Sequence, residues 1–445
     1  MGVAVGDTIP LDTVAASARR KAFLHVVLPL FLVSVIAYLD RVNIAFAGLT
    51  MNKQLGFTSE IFGFGSGIFF IGYFVFEIPG AVIAERWSPR KWFARIMVTW
   101  GVAAALMAFV QTPIEFYVVR FLLGVAEASL YPVIYATVMP RWFSTRDRAA
   151  AIAVLLTSMQ MSSIIGGPLA GWLLGMSVMG LSGWQVLFLL EAVPAVVLGI
   201  ILAFWIVDWP KDASWLSQEE KAYLTRQFEQ EVSIKRASKN HSAWSALGDP
   251  EVIRLVVIYF LWITGFWGFS YWMPTVLKAL SGWSVSFIGN IVVVPFVISL
   301  LTTAYVGYSS SKRGEKRIHG AIPLFVAAIG IAVSTWTGGN PALALLLVIV
   351  TAAGVYGPFG VWWSYPTTFL SGEAAASGSA LINSFGNLGG FVGPFLVGFI
   401  ESRSGSFVGS YMFLAACLLA SSLLMLTLRR TAPGAASIKP AEAAL

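Results

Sequence analysis

Charged residues are scarce in this 445-residue chain: Asp, Glu, Lys and Arg together make up 11% of it, against 57% hydrophobic residues. About a quarter of the residues of an ordinary soluble domain are charged, so the composition indicates an integral membrane protein. Apolar runs of about 20 residues recur along almost the whole length. They predict α-helical spans rather than the short alternating strands of a membrane β-barrel.

Residues that carry redox or metal chemistry are equally scarce. The single cysteine, Cys417, excludes an internal disulfide framework. None of the three histidines, His25, His241 and His319, falls in the middle of an apolar run, so a histidine proton relay is not expected. The sequence has no nucleotide-binding loop, metal-ligand cluster or appended soluble domain. We therefore expect no metal, no cofactor and no enzymatic activity.

The basic residues, which give a formal net charge of +7, are concentrated on one side of the predicted spans. All but five of the 29 Lys and Arg residues fall in the two terminal segments or in the connections from even to odd spans. The exceptions are Lys53, Lys278 and Arg403 in the opposite connections and Arg41 and Arg120 within spans. The positive-inside rule then places both termini in the cytoplasm. Nucleic acid is not expected as a partner, and no cleavable signal peptide is expected.

The hydropathy pattern divides the chain into five segments. We expect a disordered cytoplasmic N terminus (1–21), a six-helix bundle (22–206), a cytoplasmic linker (207–251), a second six-helix bundle (252–428) and a cytoplasmic tail (429–445). The linker contains a capping box from Ser217 to Glu220, which predicts an amphipathic helix. The twelve predicted spans cover residues 22–48, 61–84, 92–110, 114–137, 149–174, 184–206, 252–277, 285–309, 319–336, 342–370, 376–401 and 406–428.

The two bundles repeat each other at a constant spacing of 226 residues. The landmark pairs at this spacing are Gly63 with Gly289, Pro132 with Pro358, Pro140 with Pro366, and Pro168 with Pro394. Such a repeat predicts two pseudo-symmetric halves with a substrate site between them at mid-depth. Asp40 and Arg41 correspond to Phe266 and Trp267, so the first half provides charges where the second provides aromatic surface.

Asp40 and Arg41 stand next to each other near the outer end of the first predicted span. A charged side chain at mid-membrane costs roughly 2.5 to 3.5 kcal/mol, so a pair of them indicates a function. Neighbouring helical residues point about 100° apart, and each therefore needs a partner elsewhere. Alternatively, the helix ends at Leu39 and the pair lies at the interface, although the apolar run Ile44 to Leu49 argues against this.

The fourth predicted span carries two more charges, Arg120 and Glu127. They are seven residues apart, which places them on one helix face about 10 Å apart along the axis. Arg41 is a candidate anion-binding group, because a guanidinium can hold a carboxylate through two parallel hydrogen bonds. Asp40 and Glu127 are candidate proton carriers. Alternatively, these charges form internal ion pairs that tie the first and fourth helices together.

Weaker candidates surround this group. Tyr38, Tyr73, Gln160, Trp363, Asn383 and Asn387 could contact the polar end or the body of an organic anion, although each could equally serve helix packing. Glu77 lies near Arg86 and Arg90, which suggests a gating or structural pair. Glu191 is buried by its position, but the sequence does not identify its partner.

Three motifs resemble known transporters. The loop AVIAERWSPRKW resembles the signature loop of the major facilitator superfamily, with Glu85 in place of Asp and Ser88 in place of Gly. The segments YLDRVNIAFA and RFLLGVAEASLYP are similar to the anion:cation symporter family, which includes bacterial tartrate, galactonate, phthalate and hydroxyphenylacetate permeases. The resemblance implies gating by the loop residues Glu85, Arg86 and Arg90.

The same resemblance assigns roles to residues within the spans. It implies that Arg41 binds the substrate carboxylate and that Asp40 and Glu127 take and release protons. Arg120 would tune the protonation of Glu127, and Tyr73 and an asparagine of the eleventh span would contact substrate. Asn383 and Asn387 both fit the last role.

The expected function is therefore proton-coupled import of an organic carboxylate by alternating access in a bacterial inner membrane. The carrier is expected to work as a monomer, and the substrate could be a sugar acid, a tartrate-like acid or an aromatic acid. A drug/proton antiporter is the first alternative; its site should be lined by unpaired acids. A membrane-embedded enzyme or receptor is the second.

Overall fold

The computed structural model describes residues 11–237, 249–365 and 372–429. Across these ranges twelve helices are long and apolar enough to cross a membrane. The predicted all-α membrane fold with twelve spans is therefore confirmed. The strands Ser177–Val178 and Leu181–Ser182 form a short antiparallel hairpin between spans 5 and 6.

The first half contains spans 1 to 6. Several of these spans consist of more than one helix, because short 3-10 or π-helical turns interrupt them. Their bounds are Leu11–Ala22, Phe23–Val27 (π) and Leu28–Leu55 for span 1; Ser59–Trp87 for span 2; Pro89–Leu106 and Met107–Phe109 (3-10) for span 3; Pro113–Glu127, Leu130–Pro132, Val133–Val138 (π) and Met139–Trp142 for span 4; Thr145–Leu156 and Ser158–Leu173 for span 5; and Gly183–Trp205 for span 6.

The second half contains spans 7 to 12 and follows a 3-10 turn, Pro210–Asp212, and a linker helix, Gln218–Ala237. Its helices are Pro250–Ser281 for span 7; Val285–Ile291 and Val293–Arg313 for span 8; Arg317–Val333 and Ser334–Trp336 (3-10) for span 9; Pro341–Tyr356 and Phe359–Trp362 for span 10; Gly372–Asn387 and Gly389–Ser404 for span 11; and Phe407–Leu426 for span 12. The expected end of span 10 at residue 370 and the tail from residue 430 lie outside the described residues.

The N-terminal segment corrects one prediction. Residues 1–21 were expected to be disordered, yet the chain is helical from Leu11 onward and continues into span 1. The helix has Asp12 in its first turn and Arg19 and Arg20 in its last, charges that suit the helix dipole. Lys21 donates to Glu220 of the linker helix at 2.8 Å, and this tertiary contact is not visible in local sequence.

The linker helix is attached to the first half. The capping box is formed: Ser217 N donates to Glu220 Oε2 at 2.7 Å, and Glu220 N donates to Ser217 Oγ at 3.3 Å. An ion pair of 2.7 Å joins Arg148 to Glu231. We call the end of the molecule that carries these helices the terminal face and the opposite end the far face.

The two halves are in close contact towards the far face. A Cβ atom added to Gly63 of span 2 would lie 2.5 Å from the carbonyl oxygen of Pro394 in span 11. One added to Gly167 of span 5 would lie 2.7 Å from the carbonyl oxygen of Gly289 in span 8. Small residues allow helix backbones to approach this closely in a membrane. Because Gly63 and Gly289 are landmarks of the sequence repeat, the two contacts are pseudo-symmetric.

Candidate functional site

Arg41 and Glu127 form a buried ion pair between spans 1 and 4. Arg41 Nε donates to Glu127 Oε1 at 2.7 Å, and Arg41 Nη2 lies 2.6 Å from the same oxygen. Both residues lie inside helices, with exposed fractions of 7% and 1%. The alternative in which the helix ends at Leu39 is therefore wrong, since the helix Leu28–Leu55 is continuous through Arg41.

Four aromatic rings surround the guanidinium of Arg41. The distances from its Cζ to the ring centroids are 5.0 Å for Tyr73, 5.2 Å for Phe69, 5.3 Å for Tyr38 and 5.7 Å for Tyr131. Each ring is close enough for a cation–π contact, which is stronger in a desolvated site than at a surface. These rings keep water from the cation but carry no counter-charge, so neutralisation of Arg41 depends on the carboxylate of Glu127.

Span 4 is interrupted directly after Glu127. Ser129 has a positive φ of 71°, which is uncommon for a residue with a side chain, and its hydroxyl accepts a hydrogen bond of 2.9 Å from Trp92 Nε1. The first helix of the span therefore ends at Glu127. Interrupted helices in transporters commonly lie beside binding sites, because the site can use the polar groups exposed at the break.

The carboxylate of Asp40 forms its hydrogen bond with span 3, whereas Arg41 pairs with span 4. Its Oδ2 accepts a hydrogen bond from Trp100 Nε1 of span 3, and its exposed fraction is 4%. Asp40 thus has the partner that the sequence argument requires, but this partner is an indole and not an arginine. Glu191 of span 6 lies close enough to Asp40 to interact with it electrostatically.

Arg120 is fully buried and bonded to backbone. Its Nε donates to Gly65 O at 3.3 Å and its Nη2 to Ser66 O at 3.1 Å. Within the described ranges it makes no ion pair, although its charge acts on Glu127. Arg120 is therefore held in place by span 2 and contributes positive potential to the site without occupying the carboxylate of Glu127.

A hydrogen bond and several aromatic rings lie at the boundary between the two halves. Gln160 Nε2 of span 5 donates to Thr303 Oγ1 of span 8 at 3.2 Å, across the boundary between the halves. Trp363 packs against Tyr259, with ring centroids 5.5 Å apart. The charge of Arg41 reaches Tyr259 and Tyr271 of span 7. Tyr259 and Tyr271 of the second half therefore face the charges of the first half from across the boundary.

Glu77 of span 2 also connects the two halves, through hydrogen bonds to span 11. Its Oε1 accepts from Asn383 Nδ2 at 2.7 Å and its Oε2 accepts from Ser384 Oγ at 3.0 Å. The expected pairing of Glu77 with Arg86 or Arg90 is wrong, because Glu77 is 2% exposed and directed at span 11 instead.

Asn383 is therefore occupied by Glu77. Asn387 lies one turn further on, is partly exposed and makes no hydrogen bond to a described residue. Of the two asparagines, Asn387 is the one whose amide makes no hydrogen bond to a described residue.

The family of the chain can now be stated. The sequence model of the Major Facilitator Superfamily matches residues 30–394, which is most of the chain. The chain belongs to the Major Facilitator Superfamily. It is therefore a multi-pass membrane transporter, and its relatives are transporters rather than enzymes. This confirms the predicted superfamily.

Two relatives and one solved structure illustrate the range of this superfamily. An Agrobacterium vitis protein with a provisional name as a tartrate transporter is 40% identical over 441 residues, covering 98% of this chain and 96% of that protein. A quinolone resistance transporter of Acinetobacter baumannii is 34% identical over 397 residues, covering 89% and 91%. The crystal structure of a D-xylose-proton symporter has a TM-score of 0.73 at 15% identity, covering 92% of this chain and 98% of that one; this likeness shows the fold alone.

The signature loop of the transporter lies at the terminal face. Asp208, which follows span 6, accepts hydrogen bonds from Ser88 Oγ at 2.5 Å and from the backbone amide of Arg90 at 2.8 Å. Glu85 and Arg86 are exposed and form no ion pair with a described residue. The gating role of Glu85, Arg86 and Arg90 stays a prediction, whereas the Ser88–Asp208 contact joins this loop to the end of span 6.

Several residues of the transporter's site were not found from sequence. Trp100, Phe69 and Ser384 carried no signal, because a tryptophan, a phenylalanine or a serine in a span is usually packing. Tyr131 did carry one: it follows Glu127 by four residues, a spacing that predicts the same face of a continuous helix, although the span is interrupted between them. Among the described residues no group of three or more His, Cys, Asp or Glu could hold a metal ion.

Proposed function

We propose that this transporter imports an organic carboxylate together with protons by alternating access. The observation that carries the proposal is the ion pair of Arg41 with Glu127, enclosed by aromatic rings. A carboxylate of the substrate can replace that of Glu127 on the guanidinium, because the two groups have the same charge and geometry. The replacement requires that Glu127 becomes neutral, which links anion binding to proton binding.

The order of events follows from charge balance. With Glu127 ionised, Arg41 is neutralised internally and has little affinity for an anion. When Glu127 takes a proton, Arg41 regains a free positive charge in a buried site, where an anion is bound more strongly than in water. When Glu127 releases the proton, its carboxylate competes for Arg41 again and expels the substrate. Asp40, Tyr38, Tyr73, Gln160, Trp363 and Asn387 are proposed to support this exchange.

The name of the Agrobacterium vitis relative supports a hydroxylated carboxylate as the substrate. The amides of Gln160 and Asn387 suit hydroxyl groups, and Gln160 Oε1 is buried without a hydrogen-bond partner in the described chain. Both termini are proposed to be cytoplasmic in a bacterial inner membrane, on the strength of the positive-inside pattern. A reporter enzyme that folds only in the cytoplasm, fused to the C terminus, tests this orientation.

Drug/proton antiport is the second candidate function, and the quinolone resistance relative favours it. A transporter of cationic drugs needs an unpaired acid in its site. Here Glu127 is paired with Arg41, and Arg120 adds a second buried cation. The charge of the site therefore supports an anionic substrate over a cationic one.

The deciding experiment records external pH in a lightly buffered suspension of expressing cells. Pulses of tartrate, sugar acids, aromatic acids, neutral sugars and amines are added in turn. Alkalinisation with one class of carboxylate is expected, and it should vanish in Arg41→Ala but persist in Arg403→Ala, which removes an exposed arginine outside the site. Acidification on adding an amine, or wild-type carboxylate binding by Arg41→Ala, would overturn the proposal.

A further inference from the structure

Glu191 is a buried carboxyl group without a hydrogen-bond partner among the described residues. It lies in the middle of span 6 with an exposed fraction of 4%. Neither Oε1 nor Oε2 makes a hydrogen bond to any residue in the described part of the chain. A buried charge without a counter-charge or donors is strongly unfavourable, so the neutral acid is the form that suits this position.

The ionisable residue that acts on Glu191 is Asp40. Span 6 packs along span 3 and span 1, and Asp40 of span 1 interacts electrostatically with Glu191. Span 3 contributes Trp100, an uncharged donor, at this level. Of its three charged residues, Arg90 and Lys91 lie in its first turn, and Arg95 donates to Ala126 O. The helix Ser158–Leu173 of span 5, which also touches span 6, has no charged residue.

The two carboxyl groups differ in their surroundings. Asp40 accepts a hydrogen bond from Trp100, which favours its ionised form, whereas Glu191 has no donor. Two neighbouring carboxylates in a buried site cannot both be charged at low cost, and their proton equilibria are coupled. The pair therefore holds at least one proton, and Glu191 is the residue that holds it.

We propose that Glu191 is a proton-binding residue of this transporter and that it forms, with Asp40, a buried carboxyl pair carrying at most one negative charge. The pair lies within the first half, between spans 1, 3 and 6. It is coupled to the ion pair of Arg41 with Glu127, because the charges of Glu127 and Arg120 also act on Asp40. Its place in the transport cycle, though not the proton site itself, rests on the proposed function. Glu191 would keep Asp40 sensitive to protons by preventing a second charge beside it.

Infrared difference spectroscopy on the full-length protein in lipid vesicles tests the site without a substrate. The wild type is expected to show a protonated carboxyl band at neutral pH that is lost in Glu191→Gln. Glu251→Gln is the matched control: Glu251 is 2% exposed but is bonded to Arg254 and to the backbone of Arg429, so the band should remain. Asp40→Asn should move the pH at which the band disappears by about one unit or more, a tenfold change in proton concentration.

A band that is absent from the wild type, persists in Glu191→Gln or titrates unchanged in Asp40→Asn would overturn the inference. Size-exclusion profiles and melting temperatures of the variants identify any that fail to fold; Glu191→Asp, which keeps the acid, should retain the band. If the band behaves as expected but no carboxylate elicits proton uptake, the proposed function fails while the proton site stands. If proton uptake occurs but the band does not depend on Glu191, only this inference fails.

Discussion

Gly167 of span 5 and Gly289 of span 8 touch through their backbones towards the far face, where a Cβ on Gly167 would lie 2.7 Å from Gly289 O. The pseudo-symmetric contact joins Gly63 of span 2 to Pro394 of span 11. The halves are therefore closed against each other on that side. A transporter that alternates its access must break both contacts to open there.

Gly289→Ala is expected to prevent this closure. The added methyl group would overlap backbone atoms of Gly167 and Gly171, which cannot yield as a flexible side chain can. We expect at least a tenfold loss of transport, a barrier of about 1.4 kcal/mol. Val292→Cys, at a buried position that contacts Gly167, should react faster with thiol reagents in the Gly289→Ala background than in the Gly289 background.

The control for this experiment is Gly175→Ala. A Cβ at Gly175 would meet only Trp172 O, at an ordinary 3.5 Å, so transport should be unchanged. Normal transport by Gly289→Ala, together with an unchanged reaction rate of the Cys at position 292, would show that closure does not depend on this contact.

Glu127→Gln should separate exchange from accumulation. The amide resembles the protonated acid and leaves Arg41 free to bind an anion, but it cannot release a proton. Exchange of internal for external substrate is expected to continue, while proton-driven accumulation is lost. Measurements of counterflow and of concentrative uptake in vesicles with an imposed pH gradient check this. Undiminished accumulation would exclude Glu127 as a proton carrier.

Asn383→Ala should weaken the contact between the halves rather than substrate binding. It removes the 2.7 Å hydrogen bond to the buried carboxyl of Glu77. Loss of a hydrogen bond typically costs about 0.5 to 1.5 kcal/mol, so the melting temperature should fall. Asn387→Ala removes no hydrogen bond to a described residue and should instead raise KM. The reverse pattern, with KM altered by Asn383→Ala alone, would assign the substrate contact to Asn383.

Acidification should release the linker helix from the N-terminal helix. Burial alone would raise the pKa of Glu220, but hydrogen bonds from Lys21, Ser17 and the Ser217 backbone outweigh it and lower that pKa. A carboxyl whose pKa is lowered by folding stabilises the folded form above its ordinary pKa of about 4.3, and this stabilisation is lost as pH falls through the lowered value. Amide exchange of residues 11–22, corrected for intrinsic rate, should therefore accelerate at acid pH.

At pH 7 the variant Glu220→Gln should reproduce the effect of acid on this helix. Glu229→Gln serves as the control, because Glu229 is an exposed residue of the same helix. Equal protection of residues 11–22 in both variants would mean that the ion pair of Lys21 with Glu220 does not hold the segment.

Much of this fold can be predicted from sequence because membrane spans are local features. Hydropathy and the repeat of Gly63 and Gly289 identify two halves without any knowledge of contacts. The helix from Leu11 could not be found in this way, because it is stabilised by Glu220, about 200 residues away. Helices without an apolar run depend on such tertiary contacts.

For the candidate site, too, the sequence predicts local features but not tertiary contacts. Charges in apolar runs are rare enough that Asp40, Arg41 and Glu127 could be selected from their positions alone. An ion pair between the first and fourth helices was one of the alternatives, and Arg41 with Glu127 forms it. The indole of Trp100 as the partner of the adjacent Asp40 could not be predicted. Which side of a helix meets which neighbour depends on how the helices pack, and local patterns of hydropathy and charge do not reveal it.

The breaks in spans 4 and 10 mark the positions at which these helices can bend with the smallest loss of backbone hydrogen bonds. Span 4 is interrupted after Glu127, and span 10 is interrupted after Tyr356, where Pro358 has no amide proton to donate. A helix that already lacks continuity at one level can tilt there without disrupting an intact ladder of hydrogen bonds. Each half thus has an interrupted helix at mid-depth. In span 4 the residue before the break is Glu127, so a small change of angle would move its carboxylate relative to Arg41.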